Sequence, residues 1–160
     1  MEEGFKLEQV AIRLVPEVPL WDDKPIQSPG RAVEVIGKYI RDMDREAVCV
    51  VNFNARLQPI NFQIVSIGTL DRALCEPREL LKAGILSNAS SMMILHNHPA
   101  GSITPSGSDM QMTERMEKVC ELVGIPLMDS IIVGFGREDY FSFRDASMLV
   151  EQNQQSDRAA

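Results

Sequence analysis

The stretch that decides the reading is Ser91-Met92-Met93-Ile94-Leu95-His96-Asn97-His98-Pro99, then Ala100-Gly101-Ser102-Ile103-Thr104-Pro105, then Ser106-Gly107-Ser108-Asp109. Residues 91–95 form a compact, mostly apolar run, the pattern of a buried strand, and run straight into His96. Residues 99–105 hold two prolines, a glycine and small polar side chains, and read as a loop. Ser106-x-x-Asp109 has the spacing of a helix N-terminal cap. From residue 106 to 123 the spacing of Met110, Thr113, Met116, Glu117, Cys120 and Val123 predicts an amphipathic helix, closed by Gly124 and Pro126. A strand, a loop and a helix thus bring two histidines and an aspartate to one junction.

The chain has only two histidines, placed two residues apart. On a strand, residues i and i+2 point to the same side, so both imidazoles can face one point. Asp109 follows His98 by eleven residues, enough chain to fold the helix start back to the strand end. Two imidazoles and one carboxylate make a three-ligand set that leaves a zinc position open for water. Zinc lowers the pKa of such a water toward neutrality. A plainer reading stands beside this one: Ser106 and Asp109 can serve only as caps, and a short His-x-His is common without metal.

Outward from this junction, Leu7, Gln9, Val10, Ile12 and Leu14 suggest a first strand over residues 7–14, followed by a Pro-rich connector, residues 16–29, that includes Trp21. Ser28-Pro29 reads as a helix cap with proline in the first turn, and Val33, Ile36, Gly37 and Ile40 supply the apolar face. Residues 47–53, Ala-Val-Cys-Val-Val-Asn-Phe, read as a buried strand. Asn54-Ala55-Arg56 turns the chain, and residues 60–67 return as a second strand before Gly68. Pro77-Arg78-Glu79 starts a helix reaching about Leu86, and residues 131–133 and 140–143 are two more strands. The expectation is one mixed α/β domain over residues 1–150, with a polar tail at 151–160.

At 160 residues, 44% of them hydrophobic, one domain can bury a core without staples. The net charge of -7 disfavours binding to a polyphosphate backbone. Arg41, Arg45 and Arg56 form the best basic patch, and acidic residues are interleaved with them. Cys49, Cys75 and Cys120 make no Cys-x-x-Cys pair; Cys49 and Cys120 read as small buried hydrophobes. No apolar stretch reaches membrane-spanning length, and the acidic start at Met1-Glu2-Glu3-Gly4 has no signal-peptide pattern. A reducing, cytoplasmic setting is the default expectation.

His96-x-His98, seven residues, then Ser106-x-x-Asp109 resembles the JAMM metalloprotease motif with no error in spacing. Ser66-Ile67-Gly68-Thr69-Leu70, Pro77-Arg78-Glu79, His96-Asn97-His98-Pro99 and Thr104-Pro105-Ser106 resemble its bacterial RadC branch. Gly124-Ile125-Pro126-Leu127-Met128-Asp129 and Tyr140-Phe141-Ser142-Phe143 continue the match, which covers about residues 5–145.

The resemblance implies a JAB/MPN fold, a curved mixed sheet flanked by helices and similar to cytidine deaminase architecture, with one zinc per chain at a strand end. It implies His96, His98 and Asp109 as ligands and a catalytic glutamate from an early strand. Glu46, just before residues 47–53, is the matching position; Glu34, Glu76 and Glu79 are its rivals, Glu79 above all because it lies in a matching stretch. Glu46 would move protons and Ser106 would stabilise an oxyanion. The expected activity is hydrolysis of an amide bond in a peptide or protein. A binding module with a structural metal, and a DNA-associated factor, are the alternatives. Ser130 stands where RadC-like chains typically have histidine. The chain is also too short to contain the N-terminal helix-hairpin-helix region of longer RadC proteins. Asn97, where eukaryotic deubiquitinating relatives have serine or threonine, gives no reason to expect ubiquitin.

Overall fold

The strand that ends in the two histidines lies at the centre of a five-stranded sheet. In a computed structural model, described over residues 7–17, 19, 22, 24–68 and 75–149, the strand order is β2-β1-β3-β4-β5. The strands are β1 (Ala47–Phe53), β2 (Pro59–Ile67), β3 (Ser91–His98), β4 (Leu127–Gly134) and β5 (Tyr140–Ser142). β3 pairs antiparallel with β1 and parallel with β4; β1–β2 and β4–β5 are antiparallel. Parallel neighbours need a crossover, and α4 (Gly107–Val123) supplies it between β3 and β4. Gly124, in left-handed conformation at φ 73, ends that helix.

Alternation along the central strands builds two cores. Cys49, Val51, Phe53, Met93 and Leu95 face a bent helical stretch made of α1 (Pro29–Ala32), a π-helical turn (Val33–Gly37) and α2 (Lys38–Arg41). Val48, Val50, Met92 and Ile94 face the other way, packing with Leu80, Leu81, Met116 and Cys120 of α3 (Pro77–Leu86) and α4. With both faces covered, β1 is buried throughout, as its unbroken apolar run predicts. Cys49 and Cys120 lie in these cores as free thiols, and burial pushes both up to about 12.

One expected element does not form. Residues 7–14 pair with no strand among the described residues, and Leu7, Val10 and Ile12 are 82%, 80% and 73% exposed. Apolar alternation makes a strand only where a ladder partner and a covering layer exist, and residues 7–14 have neither among the described residues. β4 is longer than predicted, because buried Asp129 and Ser130 break its apolar pattern while remaining in the ladder. Trp21, Thr69, Leu70 and the tail lie outside the described residues.

Candidate metal centre

His96 and His98 share the parity of Met92 and Ile94, so both side chains emerge on the α3/α4 face of β3. α4 begins above them. Asp109, in its first turn, places Oδ1 3.1 Å from His96 Nε2 and Oδ2 3.2 Å from His98 Nε2. One ligand atom from each of the three residues lies within 4.8 Å of the others, a group that can hold a metal ion.

Capping and convergence are not alternatives here. Ser106 N–H donates to Asp109 Oδ2 at 2.7 Å, and Asp109 N–H donates to Ser106 Oγ at 3.1 Å, a complete capping box. The cap holds the carboxylate at the helix start, and its oxygens are thereby turned toward the imidazoles. Ser106 Oγ also lies 2.9 Å from Ser108 Oγ.

The ring nitrogens show what the junction is suited to hold. His98 Nδ1 lies 2.8 Å from the Ser102 carbonyl oxygen, which only accepts, so Nδ1 carries the proton and a neutral ring offers its Nε2 lone pair. Hydrogen bonding to Asp109 raises the His98 pKa despite burial, and the Ser102 carbonyl and Glu46 add to the rise. Burial pushes Asp109 upward, but His96 and His98 outweigh it and hold the carboxyl well below the usual carboxylate range. His96 is 3% exposed, and neither of its ring nitrogens has a hydrogen-bond partner in good geometry among the described residues. A buried imidazole without such partners costs free energy. Two imidazole nitrogens and a carboxylate oxygen are the donor set of a borderline-soft divalent cation, and these residues fit one.

The RadC-like JAB domain model matches residues 26–148. The chain belongs to this family. It is similar to a UPF0758 protein of Chlorobaculum parvum, 37% identical over 127 residues, 79% of this chain and 56% of that protein. It is also similar to a UPF0758 protein of Thermotoga maritima, 39% identical over 115 residues, 70% of this chain and 51% of that one. The chain spans about half the length of these curated relatives. A mixed sheet between helices is the fold a RadC-like JAB domain implies.

Within this RadC-like JAB domain the glutamates separate by position. Glu46 immediately precedes β1, two residues before Val48, which pairs with His96. The Glu46 charge contributes to the raised pKa of His98. Glu34 pairs with Arg31 on the helical stretch across the sheet. Glu79 pairs with Lys82 on α3, and Glu76 with Arg115.

One residue of the junction carries no sequence signal. Ser102 reaches His98 through its carbonyl, which no side-chain pattern reports. Ser130 is fully buried, and its hydroxyl receives a hydrogen bond from Thr113 at 3.1 Å. Thr113 stands one turn beyond Asp109 on α4, so position 130 lies beneath the ligand set. Neighbouring Asp129 instead serves β5: it accepts from Ser142 Oγ at 2.6 Å and from the backbone N–H groups of Ser130 and Arg144. Burial raises the Asp129 pKa in spite of these bonds.

Proposed function

We propose that this RadC-like JAB domain is a zinc-dependent hydrolase that cleaves an amide bond in a peptide or protein. The observation that carries the reading is the convergence of His96, His98 and Asp109, with the His98 tautomer held by the Ser102 carbonyl. A zinc ion bound there would supply a Lewis acid that brings the pKa of a bound water toward neutrality.

The protein's own groups divide the remaining work. Glu46 takes a proton from the attacking water and passes it to the leaving nitrogen, as a general base and then a general acid. Ser106 Oγ accepts from Asp109 N–H; with Ser108 as the donor across their 2.9 Å Oγ–Oγ contact, the Ser106 hydroxyl proton donates to the oxygen that gains charge as the carbonyl is attacked. Asp109, fixed by the capping box, keeps the ligand set in register with β3.

The test is direct. Zinc-loaded protein and its Glu46→Gln variant are incubated with a peptide mixture made from whole-cell protein, and new amino termini are counted by mass spectrometry. The reading predicts new termini from the wild type and about 10²-fold fewer, or less, from the variant. Equal numbers from both, or none from folded, zinc-loaded wild type, would contradict peptide hydrolysis.

A further inference from the structure

We propose that Asn97 is a positioning residue for Glu46, so that the residue between the two histidines sets the proton-transfer group across the sheet. The inference rests on the proposed role of Glu46. Asn97 is fully buried and has the parity opposite to His96 and His98, so its side chain leaves the metal face. It reaches the connection between α2 and β1. Asn97 Oδ1 accepts from Ala47 N–H at 2.6 Å, and Asn97 Nδ2 donates to the Arg45 carbonyl at 3.1 Å and, at the limit, to the Met43 carbonyl at 3.5 Å.

These partners are the two peptide groups that bracket Glu46. The Arg45 carbonyl belongs to the peptide before it, and the Ala47 N–H to the peptide after it. Gly68 N–H holds the second of these from its other side, donating to the Glu46 carbonyl at 2.8 Å. With both flanking peptides tied, the backbone at Glu46 has little freedom, and its side chain leaves from a fixed point at the start of β1, where its charge acts on His98. Backbone N–H only donates and backbone carbonyls only accept, so the orientation of the carboxamide is determined by its partners.

No other small side chain makes this set of bonds. Aspartate lacks the donor, serine and threonine are too short to span both peptides, and leucine leaves the buried Ala47 N–H unpaired. Because Asn97 sits between two ligands in one strand, any displacement of β3 moves the ligands and Glu46 together. Relative placement within a few tenths of an ångström is what proton transfer at a metal site needs.

The experiment uses cobalt(II) alone as the probe. Wild type, Glu46→Gln, Asn97→Ser, Asn97→Ala and the Glu46→Gln/Asn97→Ser double variant are each loaded with cobalt, and metal content is measured. Visible absorption is then followed against pH. All five are expected to hold the metal, since no ligand is changed. Glu46→Gln is expected to move the spectral midpoint by roughly one pH unit, the effect of one nearby charge. Asn97→Ser should move it in the same direction, and the double variant no further than Glu46→Gln alone. Asn97→Ala repeats the test without a replacement hydroxyl; either single variant suffices if the other does not fold. A midpoint unmoved by Asn97→Ser while Glu46→Gln shifts it, or additive shifts in the double variant, would overturn the inference and leave the Glu46 role standing. A midpoint unmoved by Glu46→Gln would overturn that role, and the inference with it.

Discussion

His98 Nδ1 and the carbonyl oxygen of Ser102 stand 2.8 Å apart, and the ring must supply the proton. The other nitrogen, Nε2, faces Asp109 at 3.2 Å. Without metal, Asp109 stabilises a second proton on this ring and raises its pKa above the ordinary 6.5. That proton competes with a metal ion for Nε2. The sign follows: metal affinity is full above the raised His98 pKa and falls as pH drops through it, by about tenfold per pH unit for each proton displaced. Competition against a chromophoric chelator between about pH 5 and 8 measures this. Affinity independent of pH across that range would contradict the ligand role of His98.

Gly134 governs the loop that carries Ser102. A Cβ at this position would collide with the Gly101 carbonyl oxygen. The same loop closes on His98, whose carbonyl accepts from Gly101 N–H at 2.9 Å and from Phe135 N–H at 3.2 Å. Gly134→Ala must therefore displace the turn that brings Ser102 to His98. The expected outcome is a loss of about 1–3 kcal/mol in stability, with a roughly ten- to hundred-fold fall in metal affinity, the scale of losing a partner of a ligating histidine. Urea unfolding and metal titration check the two effects. An Ala variant with wild-type values in both would show that the loop position does not matter to the ligands.

Much of this junction was legible because its signals are local. The apolar run, the cap at Ser106 and the C-terminal glycine at 124 predict β3 and α4 with few errors, and two histidines at i and i+2 fall on one face by strand geometry alone. Position across the sheet was not legible. That the start of β1 lies beside the end of β3 depends on the β1–β3 register, and no local pattern encodes a pairing between segments fifty residues apart. The sequence marks Asn97 as a motif position and a branch-specific residue, but nothing nearby in sequence reveals its partners at residues 43–47. The π-helical turn was hidden for a related reason. Gly37 packs closely on Val33 and Val133, and β4 is remote in sequence. The first strand failed because alternation over residues 7–14 carries no information about whether a partner exists.

Position 130 tests how tightly the second layer is packed. Ser130 is fully buried against Thr113, and an imidazole needs far more room than a hydroxymethyl group. Ser130→His alone is expected to cost about 1–3 kcal/mol through overpacking, and Thr113→Ala in the same chain should recover part of it. A double-mutant cycle in urea measures the coupling. Strictly additive effects would show that the two sites do not compete for the same space.

The central claim is that His96, His98 and Asp109 bind one divalent metal ion. Elemental analysis of wild type beside His98→Ala and Asp109→Ala, each exposed to zinc and freed of excess, tests it most directly. The account predicts about one zinc per wild-type chain and little in either variant, with all three chains folded. Little metal in the wild type, or the same amount in all three, would contradict it.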